Sequence, residues 1–123
     1  MAGGKVIHHI ADDDIKTHYG VKNTSFLTDG SNPYAFRWGK IVLISGWFQL
    51  KAIPTQKTDV LVTYSDLSFR GNYTLMMYDQ TAGDFCTAYI SINTSTITKG
   101  DWDYTGRLNH VINFIGVTLA NTV

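Results

Sequence analysis

The chain has 123 residues, the length of one autonomous domain and too short for a second independent core of ordinary size. With 44% hydrophobic and 13% aromatic residues it can bury a core without a metal, and its single cysteine, Cys86, excludes an intramolecular disulfide and reads as a small buried hydrophobe. Lys plus Arg and Asp plus Glu both number 10, so the formal charge is zero and no net field favours nucleic acid or an anionic membrane as partner.

All ten acids are aspartate, and Thr, Ile, Val, Tyr and Asn are abundant, a choice that leans towards strands and turns. Residues 1–33 read as an N-terminal arm or linker. They hold a short apolar burst at Val6–Ile10, the run Asp12-Asp13-Asp14, a possible single helical turn over 12–17, and the turn-rich Asp29-Gly30-Ser31-Asn32-Pro33.

From Tyr34 the pattern has period two, and 34–123 reads as the folded head. Lys40–Leu50 is the best strand, with Val42, Ile44, Phe48 and Leu50 on one face and Ile41, Leu43, Ser45, Trp47 and Gln49 on the other. Gly46 inside it signals a bulge or a close backbone approach. Trp47, beside Ser45 and Gln49, suits an interface or an exposed groove.

Further strands are expected at Asp59–Tyr64, Tyr73–Tyr78, Phe85–Asn93, Thr96–Thr98 and Leu108–Leu119. Turns at Ala82-Gly83-Asp84 and Lys99-Gly100-Asp101 look like hairpins. With no helical periodicity after residue 17, the fold class is all-β, an antiparallel β-sandwich or small β-barrel. No segment approaches the eighteen or so apolar residues that span a bilayer, and the first residues lack a secretory-signal pattern, so a soluble protein is expected.

The stretch Arg37-Trp38-Gly39-Lys40-Ile41-Val42-Leu43-Ile44-Ser45-Gly46, followed by Phe48, Leu50, Ile53 and Pro54, resembles a recurrent motif of phage and prophage tail proteins. Leu67-Ser68-Phe69-Arg70 is a shortened form of a later turn of that family and lacks both of its prolines. Tyr89–Ile92, Gly100 and Val111–Val117 are similar to its closing pieces. The resemblance covers 34–119 and is specific over 37–54. It implies a receptor-binding head of the lactococcal-phage kind at a tail-fibre or baseplate tip, homotrimeric, set among other phage tail proteins and binding host cell-surface saccharide.

The residues that suit such binding lie in Gly100-Asp101-Trp102-Asp103-Tyr104-Thr105-Gly106-Arg107. An aromatic face stacks on the C–H face of a sugar, and carboxylates and a guanidinium pair with adjacent hydroxyls. Asp101, Trp102, Asp103, Tyr104 and Arg107 are therefore ligand candidates, and the same loop reads equally as a connection whose Trp102 packs on the sheet. Arg70, Asn72 and Tyr73 are added as groups that would line the same end, although a plain turn explains them as well.

Two carboxylates two residues apart, roughly 7 Å on a strand, admit a glycosidase reading, but aspartate between glycines is ordinary turn chemistry. His8-His9 with Asp12–Asp14 offers metal-ligand types without chelating spacing, and no metal or cofactor is expected. His110 suits a satisfied core or interface position. No P-loop, dinucleotide fingerprint or nucleophile elbow occurs. The sequence thus points to a non-enzymatic adhesion module; the alternatives are a structural tail, baseplate or capsid-decoration protein, and a small glycan-degrading tail enzyme using Asp101 and Asp103.

Overall fold

The computed structural model describes residues 15–70, 73–90 and 95–121, with backbone alone at 73–74 and 86–90. It is all-β, two antiparallel sheets in a sandwich-like arrangement that does not close into a barrel. Among the described residues nine strands follow in chain order: β1 (Ile15–Tyr19), β2 (Val21–Lys22), β3 (Asn32–Trp38), β4 (Ile41–Gln49), β5 (Val60–Thr63), β6 (Tyr73–Asp79), β7 (Asp84–Ile90), β8 (Thr96–Thr98) and β9 (Val111–Leu119). The large sheet runs β1-β3-β4-β9-β6-β7 and the small one β2-β5-β8.

β4 and β9 form the spine of the large sheet, paired without a break from Ile41↔Leu119 to Gln49↔Val111. The even-numbered residues of β4 face the small sheet, and Val42, Ile44 and Phe48 are fully buried there. Ala35, Leu75, Met77, Ile112 and Phe114 join them from the same sheet. Leu61, Val62 and Ile97 come from the other. A register shift between Val60 and Val62 turns two successive residues inward. Leu27, Tyr64, Phe69 and Tyr104 close the core from the loops.

Gly46 continues the ladder without a register shift, at φ 123°. A Cβ there would stand 2.3 Å from the Asn32 carbonyl oxygen, so of the two expectations the close backbone approach is what occurs.

Several boundaries differ from the sequence reading. Residues 15–33, read as part of an arm, supply β1, β2, the start of β3 and the core residue Leu27. Lys16 and Thr17, placed in a possible helical turn, are extended in β1 and pair with Arg37 and Phe36. Residues 1–14 lie outside the described residues, as do 91–94 at the end of the strand expected over Phe85–Asn93. The last strand begins at Val111 rather than Leu108, because Asn109 takes φ 66° and an Arg107–His110 turn precedes it. Lys99-Gly100-Asp101 is no hairpin: β8 pairs with β5 while β9 pairs with β4 and β6, so the segment between them crosses from one sheet to the other.

The other face of the large sheet points away from the core, and four rows of cross-strand partners cross it before the end pair Gln49–Val111. They are Ile15–Trp38–Ile41–Leu119, Thr17–Phe36–Leu43–Val117, Tyr19–Tyr34–Ser45–Ile115–Met76, and Asn32–Trp47–Asn113–Tyr78–Phe85. No charged residue occurs in any row.

Candidate functional site

The segment from Lys99 to His110 lies over the end of the sandwich where the β6–β7 hairpin turns. Asp79 closes β6, and its side chain has no exposed surface. It accepts from the Ala82 amide at 2.9 Å, from Arg107 Nη1 at 2.5 Å, and pairs with His110 Nδ1 at 2.7 Å. Burial pushes the Asp79 carboxyl up, but the hydrogen bonds from His110, Ala82 and Arg107 outweigh it and hold it below the ordinary value of 3.8.

Arg107 also forks onto Asp84, at 3.0 and 3.3 Å. Its guanidinium stands 4.9 Å from the Trp102 ring centroid, and Trp102 and Tyr104 rings lie 4.2 Å apart. Trp102 is half-buried against the core, while Tyr104 is fully buried with its hydroxyl directed at Met77 Sδ. Three of the expected ligand residues are therefore brought together, but as a cluster braced from within the chain. Tyr104 supports the others from beneath and has no surface to offer a ligand. Arg107 has its donors turned to carboxylates of the same chain.

The two aspartates of the loop are exposed and separately engaged. Asp101 pairs with Lys57 at 2.7 Å, and that contact raises the Lys57 pKa. Asp103 accepts from the Thr105 amide at 2.9 Å, and Thr105 hydrogen bonds hold its carboxyl below the usual range. A glycosidase acid needs the opposite, a carboxyl pushed up by burial or by a neighbouring carboxylate.

Arg70 lies elsewhere. Its amide donates to the Leu119 carbonyl, whereas Asp79 pairs with Ile112 at the other end of β9. Seven residues of strand separate those levels, roughly 23 Å. Tyr73 starts β6 on the Arg70 side, and Asn72 lies outside the described residues. Arg70 and the 100–107 loop thus occupy opposite ends of the sheet and do not form one site.

The sequence reading missed a groove in the outer face of the large sheet. It encloses about 310 Å³ between β4, β9, β6 and β7, and its walls include Tyr34, Trp47, Tyr78 and Phe85. Tyr78 and Phe85 rings sit 4.7 Å apart, and Phe85 is 75% exposed. Ser45 and Asn113 place a hydroxyl and an amide between the rings, the amide fixed by a 3.1 Å bond to Gln80 Oε1. Among the described residues no charged side chain lines it. The register aligns Trp47, Asn113, Tyr78 and Phe85 across four strands, a relationship that becomes visible only once the strand order is known. The one signal in the sequence is Trp47 alternating with Ser45 and Gln49 on the face opposite the core.

No family model, curated protein or solved structure matches the chain. Among the described residues no group of three or more His, Cys, Asp or Glu is placed to hold a metal ion. His8, His9 and Asp12–Asp14 lie outside them. Among the described residues no helix is long and apolar enough to cross a membrane.

Proposed function

We propose that the chain is a binding module of the phage tail-tip kind, a non-enzymatic adhesion head that recognises an uncharged saccharide on a bacterial surface. The observation that carries this reading is the groove walled by Tyr34, Trp47, Tyr78 and Phe85, with Ser45 and Asn113 between the rings. Flat aromatic faces set beside neutral hydrogen-bonding groups suit a pyranose, which has an apolar C–H face and a rim of hydroxyls. A groove without charge selects against anionic sugars, which would lose their hydration with no cation to replace it. Shallow sites of this kind bind weakly one at a time, and a trimer on a virion carrying many tips multiplies them. The resemblance of residues 37–54 to tail proteins supports the same role and a place among other tail proteins.

A second reading is favoured by the uncharged rows beyond the groove: a structural tail or baseplate subunit that only joins neighbours. The two separate in one experiment. The protein is titrated with neutral cell-wall polysaccharides and with whole cells of candidate hosts, following tryptophan fluorescence and cell retention. Saturable binding that is lost in Trp47→Ala and Asn113→Ala supports the adhesion head. Indifference to every saccharide and cell surface removes it in favour of the structural subunit.

A further inference from the structure

We infer that copies of this chain associate through the part of the outer sheet face carried by β1, β3, β4 and β9, beside the groove and not across it. The inference deepens the oligomer part of the proposed function by naming the surface.

The first two rows of that face, with Tyr19 and Ile115 from the third, form a continuous apolar surface that meets the near edge of the groove at Ile115. Trp38 is 53% exposed, Val117 62% and Tyr19 69%. Eight large apolar side chains there are on average half exposed, and at roughly 200 Å² each they present about 800 Å² to water. A soluble monomer's largest apolar patch is about 300–600 Å², whereas a stable interface takes about 800 Å² from each partner.

Three observations choose a second copy as the occupant. The area is of the order of one partner's share of a stable interface. The surface also carries no charge in any row, so two identical copies meet with no like-charge repulsion, and nothing on it is complementary to a charged partner. Finally, the apolar burst outside the described residues, Val6–Ile10, is one strand wide and holds three apolar residues interrupted by His8-His9, which is too little to cover four strands.

The groove lies towards β6 and β7, so association on this surface leaves its Tyr78 and Phe85 wall open.

The test is the solution mass of the full chain by light scattering, for the wild type and for the double variant Ile41→Glu/Val117→Glu. Both positions are exposed on the surface and outside the groove, so the variant keeps its core, checked by circular dichroism and thermal melting. Wild type at a multiple of 13.7 kDa with the folded variant at one chain mass is the expected result. A wild type that runs as a single chain at micromolar concentration overturns the inference, as does a variant that stays assembled. If the double variant fails to fold, Thr17→Lys at the exposed margin of the same surface replaces it under the same criterion. Saccharide binding measured on the same samples keeps the two ideas apart: an assembly that binds no saccharide sinks the adhesion head alone, and a single chain that binds saccharide sinks the interface alone.

Discussion

Asp79 and Arg107 lie 28 residues apart in sequence and meet at 2.5 Å, tying the end of β6 to the segment that leads into β9. The carboxylate is buried and the guanidinium mostly so, and removing one partner strands the other. Asp79→Asn keeps the shape and removes the charge that Arg107 and His110 face. It should lower unfolding stability by about 2–3 kcal/mol in urea denaturation. Arg107→Lys keeps the charge but loses the fork on Asp84 and the guanidinium's place over the Trp102 ring. Its cost should be smaller, about 1–2 kcal/mol.

The same contact sets an acid limit on stability. Asp79 has a folded pKa below the ordinary value of 3.8, so the folded state binds its proton less readily than the unfolded chain. Its stabilising contribution is complete above that ordinary value and is lost as pH falls through the lower folded one. Asp103 shifts in the same direction, but it is exposed and solvent screens its share. The melting temperature should therefore fall steeply below about pH 4, and Asp79→Asn should fall less steeply over the same range. Parallel curves for the two proteins would show that Asp79 is not the group responsible.

The strand pattern was legible in the sequence wherever one face is uniformly apolar. Val42, Ile44 and Phe48 at alternate positions, broken only by Gly46, predict both the strand and its buried face. β1 was not legible, because Ile15-Lys16-Thr17-His18-Tyr19 is a five-residue edge strand with mostly exposed side chains and no buried face. The loop from 99 to 110 misled for a different reason. Gly100 at φ 63° and Asn109 at φ 66° do mark turns, but nothing local says that the chain between them changes sheets. Asp79 drew no attention from sequence, since its role depends on partners 28 and 31 residues away. The groove was hidden for the same reason: it is a row across strands that are distant in the chain.

Two glycines of the large sheet should respond differently to the same substitution. At Gly46 an added Cβ meets the Asn32 carbonyl oxygen and the Pro33 Cα, backbone atoms that cannot step aside, at a φ that side chains rarely adopt. Gly46→Ala should cost at least about 2 kcal/mol. At Gly116 the obstacle is the Leu75 Cδ2 at 2.4 Å, the far end of a side chain that can change rotamer. Gly116→Ala should cost about 1 kcal/mol. Equal losses in chemical denaturation would mean that β3 yields to a Cβ at Gly46 as easily as Leu75 does.

Trp102 and Trp47 carry opposite expectations for binding and stability. Trp102 is packed against the core, set at a tilt against Tyr104 and covered by Arg107, so its ring supports the loop. Trp102→Ala should lower stability by about 2 kcal/mol or more and leave the groove's saccharide affinity within a factor of about three. Trp47 stands on the outer face in a groove wall, and little of the core depends on it. Trp47→Ala should cost under about 1 kcal/mol and reduce saccharide affinity at least tenfold, since a stacked ring of this size contributes more than about 1.4 kcal/mol to a shallow site. Melting curves and fluorescence titrations on the two variants decide between the sites. If Trp102→Ala is the one that loses affinity at unchanged stability, the loop at 100–107 and not the groove is the contact surface.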